Sequence, residues 1–108
     1  MNELVQRLAA GKHPVVAGRA DSATELKESI DRGYVLIKFT ETRGGTELGI
    51  RLDESGTDLS QADFDQGTGT VHLAGNLTLD YVRVRCIVEI NLATLAGQGG
   101  LEILEETT

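Results

Sequence analysis

The stretch Tyr81-Val82-Arg83-Val84-Arg85-Cys86-Ile87-Val88-Glu89-Ile90-Asn91-Leu92 decides the fold. Its even positions are all apolar. Its odd positions are polar or amphipathic, with Ile87 alone breaking the phase. A period of two means a β-strand with one buried face and one wet face.

Neighbouring strands follow from that face. On the carboxy-terminal side, a turn over Asn91 to Thr94 sets Ile90 opposite Leu95, Val84 opposite Leu101 and Val82 opposite Ile103. The wet face then gains Arg83 opposite Glu102, a cross-strand pair worth a few tenths of a kcal/mol. On the other side, a turn at Leu79-Asp80 sets Leu77 opposite Val82, Leu73 opposite Cys86 and Val71 opposite Val88. A rival turn at Gly75-Asn76 would set Leu73 opposite Thr78 and is rejected on that ground. Gly97 and Gly99 fall on the core side, opposite Val88 and Cys86. Glycines inside a strand usually mark a bend or a close approach, so a bend or a packed helix is expected there.

The amino-terminal half reads differently. Residues 2–10 place Leu4, Val5, Leu8 and Ala9 on one helical face, with Gly11 as the stop. Val15-Val16-Ala17 is a short strand or an extended pass. Residues 22–32 form a second helix, opened by the capping box Ser22-Ala23-Thr24-Glu25 and closed by Gly33. Tyr34 to Glu41 and Thr46 to Asp53 are strands. A two-residue Gly44-Gly45 loop between them pairs Phe39 with Ile50 and Ile37 with Leu52. It leaves Leu48 facing Glu41, which fits poorly. Residues 54–68 are polar, acidic and irregular, with one helical turn expected near Leu59 to Phe64 and more mobility than elsewhere.

The fold class is therefore α+β, in a single domain over 1–108. Two N-terminal helices precede about five antiparallel strands in a twisted sheet, small barrel or sandwich. The helices are expected to cover the sheet's apolar face or one open end of it.

Composition narrows the functions. Of 108 residues, 40% are hydrophobic, and there are two Phe, two Tyr and no Trp. The core must be aliphatic, and stacking platforms for bases or sugars are scarce. Net charge is −7. Residues 1–52 carry eight Lys and Arg against seven Asp and Glu, whereas residues 53–108 carry two against ten. That acidity argues against a nucleic-acid partner and fits docking onto a basic one. The single cysteine, Cys86, cannot form an internal disulfide, and the first five residues lack the apolar core of a secretory leader. No apolar run is long enough to span a membrane. A cytoplasmic protein is expected.

Lys38 and Arg51 come out directly opposite each other in the first hairpin, with Arg43 at its tip. Like charges in that position are unfavourable unless an acid, solvent or an anionic ligand offsets them. These three residues are the candidate anion site. His72, facing Ile87 on the wet side, shares that side with Asn76, Arg83 and Arg85. His and Arg on one face suit carboxylate binding or acid–base work, but no second titrating group stands at catalytic spacing. Cys86 points inward as a small core hydrophobe, not a nucleophile.

Metal and phosphate motifs fail on their residues. A calcium loop opening at Asp63 would need Glu at its twelfth position, which is Ala74. In Gly67-Thr68-Gly69 the third glycine of a dinucleotide motif would fall on His72, and the segment leads into a strand. Gly11-Lys12 lacks the upstream glycine and the following Ser or Thr. No metal and no cofactor are expected. The sequence thus favours a non-catalytic interaction or accessory protein, binding a protein partner or pairing with itself as a homodimer through free strand edges. The alternatives are a module for an anionic small molecule at Lys38, Arg43 and Arg51, and, more weakly, an enzyme using His72 with Arg83 or Arg85.

Overall fold

In the computed structural model, which describes residues 3–106 apart from 19, 43, 44 and 80, Val82, Val84, Cys86, Val88 and Ile90 are all buried on one side of their strand. The elements in chain order are α1 (Glu3–Ala9), β1 (His13–Ala17), α2 (Ala23–Arg32), β2 (Tyr34–Phe39), β3 (Thr46–Leu52), β4 (Ala62–Asp63), β5 (Thr68–Leu79), β6 (Val82–Asn91) and β7 (Ala96–Glu106). Both helices stand where the sequence places them. Ser22 Oγ accepts a hydrogen bond from the Glu25 amide at 3.2 Å, and Gly33 closes α2 at φ 78°.

The strands exceed the five expected, and they close. β3, β2, β1, β7, β6 and β5 pair in that order, β5 returns to β3, and every rung is antiparallel. This is a six-stranded barrel, with the two-residue β4 alongside β5. Closure between β3 and β5 rests on two residue pairs, Arg51 with Asn76 and Leu52 with Gly75. A β-carbon on Gly75 would collide with the Arg51 carbonyl oxygen and the Ile50 side chain. Glycine there lets the two strands meet. Gly97 serves the same end, since a β-carbon would run into the Glu89 carbonyl, and Gly99 makes room for Val88. What comes close to these glycines is β6 itself, as a bend requires.

The faces follow the sequence expectation and the registers depart from it. In the β5–β6 pair the register moves by two, so Leu73 faces Val88, Val71 faces Ile90 and His72 faces Glu89 rather than Ile87. In the β6–β7 pair it also moves by two: Arg85, not Arg83, faces Glu102, and Gly97 faces Ile90. Each turn lies one residue further along than expected. Tyr81 and Leu95 supply the positive φ angles, 68° and 58°, that the actual turns require. Because side chains alternate every residue, a shift of two leaves every group on its own side.

The first hairpin moves by four. Ile37 pairs with Leu48 and Val35 with Ile50. A longer loop makes this possible. The Thr42 and Thr46 hydroxyls meet at 2.6 Å, and Gly45 N–H donates to the Thr42 carbonyl at 2.9 Å. The gain is burial: Leu48, stranded beside Glu41 in the two-residue register, now packs in the core.

The interior is filled. Ile37, Phe39, Ile50, Leu73, Val84, Cys86 and Ile90 show no exposed surface, and no polar or charged residue among those described is buried. Each fully buried Leu, Ile or Phe contributes about 1.5–3 kcal/mol relative to the exposed side chain. The helices take opposite ends of the barrel rather than one face. α1 leads into the start of β1 and packs against β7, inserting Val5 and Leu8; α2 links the end of β1 to the start of β2 and inserts Leu26 and Ile30. Among the described residues, no helix is long and apolar enough to cross a membrane.

Candidate functional site

Three places on this fold carry chemistry-bearing side chains, and the first is the outer face of β5 and β6. Segment 53–63 continues the line of β3 along β5. The Asp53 amide donates to the Ala74 carbonyl at 2.9 Å, Asp58 and His72 exchange backbone bonds at 2.8 and 3.0 Å, and the Thr70 amide reaches the Gln61 carbonyl at 3.1 Å. The region expected to be a loose loop is thus a strap fastened to the barrel. Its helical turn, a 3-10 turn at Glu54–Gly56, comes earlier than Leu59 to Phe64.

Side chains add to the fastening. Arg85 Nη1 donates to Asp53 Oδ2 at 2.9 Å and to Asn76 Oδ1 at 3.2 Å. Asp53 Oδ1 accepts from the Ser55 hydroxyl at 2.7 Å and the Ser55 amide at 2.9 Å. These donors, Ser55 first and Arg85 next, lower the Asp53 carboxyl from 3.8 to about 2. Asp58 is lowered as well, first by its hydrogen bonds from Ser60 and in smaller part by His72. Gly56 crosses close above Ala74 and Arg85, where a β-carbon would collide with both. That cover explains why Ala74 is buried on a nominally wet face.

His72 and the arginines do not converge. His72 Nε2 lies 3.6 Å from Glu89 Oε2, beyond hydrogen-bond range, and its Nδ1 is enclosed with no partner among the described residues. His72 and Asn76 are four residues apart on β5, about 13 Å at the usual strand rise. Arg85 stands at the Asn76 end, and Ala74 with Ile87 lies between the two groups. Arg83 is further still, opposite Thr78 and Glu105. A half-open depression of about 290 Å³ lies nearby, lined by Thr70, Glu89, Asn91, Ala96, Gly97 and Gln98. Glu89 is the titratable group of that lining, which brings it no histidine, cysteine or second carboxylate. Burial pushes the Cys86 thiol up to about 12, which keeps it protonated and inert.

The second place is the hairpin of β2 and β3. The four-residue change of register separates Lys38 from Arg51. Lys38 faces Glu47, and Arg51 faces Tyr34 on one side and Asn76 on the other. The two cations stand about 13 Å apart along the ladder, so the like-charge clash that motivated an anion site does not exist. Arg43 lies outside the described residues.

The third place carries no mark in the sequence alone. β5, β6 and β7 are 12, 10 and 11 residues long, against 5 to 7 for β1 to β3. β1 stops pairing with β7 at Gly99, and β3 pairs with β5 only at Gly75 and Asn76. The three long strands therefore run on as a ribbon, in a molecule 44 Å long and 27 Å and 20 Å across. Five large apolar side chains are exposed among the described residues: Tyr34, Tyr81, Ile87, Ile103 and Leu104. Four of them belong to this ribbon. Tyr81, at 77% exposure, occupies its tip, and Ile103 and Leu104 lie on the adjoining end of β7, where the register slips. Tyr81 was legible as a polar-phase residue, but its place at a tip depends on the turn. The exposure of Ile103 and Leu104 depends on where β1 stops.

No protein-family model and no curated protein sequence matches this chain. The class that fold and surface define is a closed, filled antiparallel barrel with a projecting three-stranded ribbon.

Proposed function

We propose that the protein is a non-catalytic interaction or accessory protein that docks through the free end of its ribbon. The observation that carries this reading is the contrast between interior and tip. The barrel core is apolar, with no polar or charged residue buried among the described residues, whereas Tyr81, Ile103 and Leu104 are exposed toward one end. Ligand pockets need enclosed volume with a few convergent polar groups. Protein interfaces need exposed apolar and aromatic anchors with a polar rim, and tyrosine is enriched among them. The polar groups of the outer face support the same division of labour. Arg85, Asp53, Asn76 and Ser55 satisfy one another and hold the strap.

Site-specific photocrosslinking tests this. A benzophenone amino acid replaces Tyr81 or Leu104 in the full chain, with Lys38 as the control position. The reading expects a discrete protein adduct from the ribbon positions and none from Lys38. Adducts from Lys38 alone, or from no position, would overturn it.

A further inference from the structure

The sequence at the end of β7 is rich in acids, and that charge bears on the choice of partner. Glu102 is exposed immediately before Ile103 and Leu104, and Glu105 and Glu106 follow in the chain. The ribbon carries two cations, Arg83 and Arg85. Arg85 is drawn away, donating to Asp53 and Asn76 on the strap side. On the ladder Glu102 stands opposite Arg85 and Glu105 opposite Arg83, so residues 101–106 bring three acids against these two cations, one of which is engaged on the strap side. A second copy of the chain would bring the same acids and a further net charge of −7. Nor does its amino-terminal half offer a basic counter-surface, since eight cations there stand against seven acids. Barrel closure has taken up the strand edges within the ring but leaves the outer edges of β5 and β7 in the ribbon, where a second copy would set its acids against those of the first. Anionic lipid and nucleic acid are repelled for the same electrostatic reason.

Resting on the docking reading above, we propose that the occupant of the ribbon end is a lysine- or arginine-rich segment of another protein. Its apolar residues cover Tyr81, Ile103 and Leu104 while its cations meet Glu102. Complementary charge of this kind speeds encounter and rejects like-charged competitors more than it adds raw affinity. The interaction weakens as salt shortens the range of the charges.

The test is an amide NMR titration of the full chain with two synthetic peptides, one alternating valine with lysine and one alternating valine with glutamate. The lysine peptide is expected to shift Tyr81, Ile103 and Leu104, and to bind at least about tenfold more tightly than the glutamate peptide. Glu102→Lys is expected to remove most of that preference while the rest of the spectrum, and hence the fold, stays unchanged. Equal binding of both peptides at the ribbon end would overturn the basic partner and leave the docking surface standing. Shifts centred on the acidic strap, or no shifts at all, would overturn the proposal. So would concentration-dependent shifts of Tyr81, Ile103 and Leu104 without peptide, which would make a second copy the occupant. Photocrosslinking at Tyr81 and Leu104 judges the docking surface independently of these outcomes.

Discussion

The two halves of the barrel use the same alternation to different ends. β1, β2 and β3 are short, and their apolar residues are nearly all spent on the core: Val15, Val35, Ile37, Phe39, Leu48 and Ile50 are buried. β5, β6 and β7 fill their share of the same core with Val71, Leu73, Val84, Cys86, Val88 and Ile90, and then continue past the point where their neighbours stop. A strand outside a closed ring has no second layer to bury its face. α1 packs against β7 beside Gly100 and covers part of the surplus, and Val82 and Leu101 are also buried. The remainder is exposed. Strand length, set against the length of the strands alongside, decides where a filled barrel keeps surface available for contact.

The largest effect should come from emptying the short half. Phe39 is fully buried, and Phe39→Ala should cost about 3–5 kcal/mol by urea denaturation, through lost transfer energy and a residual cavity. A cost below about 1 kcal/mol would mean that the core is not the close-packed one described.

Next comes the seam joining the two halves. Gly75→Ala places a methyl against the Arg51 carbonyl, so β3 must withdraw from β5. Overpacking of this kind costs about 1–3 kcal/mol. Amide exchange should rise first at Leu52 and Asp53, which donate to the Gly33 and Ala74 carbonyls beside the seam. If destabilisation instead spread evenly over all six strands, the seam would not be the weak rung of the barrel.

Acid should loosen the strap before it loosens the ribbon. The Asp53 carboxyl titrates at about 2 in the folded protein, against 3.8 for an unperturbed aspartate. A lowered carboxylate favours the folded state above its unfolded value, and that contribution fades as pH falls through the window toward the folded one. Asp58 is shifted in the same direction. Exchange at Ser55 and Ser60 should therefore accelerate across this range ahead of exchange at Val84 and Val88. Asp53→Asn should weaken the strap at neutral pH and flatten the response. An unchanged profile in that variant would remove Asp53 as the fastening.

The smallest effect on stability belongs to the ribbon end. Leu104→Ser should change stability by no more than about 0.5 kcal/mol, as for other exposed positions. The same substitution should abolish photocrosslinking from Tyr81. A large loss of stability would show that Leu104 is structural and would dissolve the contrast between core and tip.

Much of this was legible in the chain. Period two along Val82 to Leu92 marks the buried face, and both helices announce their ends through Ser22, Gly11 and Gly33. Register is harder, because period-two alternation cannot distinguish shifts of two or four residues. Only turn chemistry decides among them, and the deciding residues, Tyr81 and Leu95, hold positive φ without being glycine. One signal in the sequence does bear on the hairpin register. Leu48 beside Glu41 is a misfit, and sliding the hairpin by four removes it and separates Lys38 from Arg51 at the same stroke. Barrel closure was hidden for another reason. Gly75 lies within an alternating strand, and its meaning depends on a strand that passes more than twenty residues earlier in the chain. The strap was hidden likewise, since the partners of Asp53 and Asp58 are Arg85 and His72, brought near only once the ring is closed.

Closure supports everything else: the apolar interior, the fastened strap and the ribbon that outruns its neighbours. Its most direct test is a nuclear Overhauser experiment across the β3–β5 seam. The fold predicts cross-strand contacts between Leu52 and Gly75 and between Arg51 and Asn76, together with a slowly exchanging Asp53 amide. Absence of those contacts, with Asp53 exchanging as fast as an exposed loop amide, would mean an open sheet with free edges and would contradict the account.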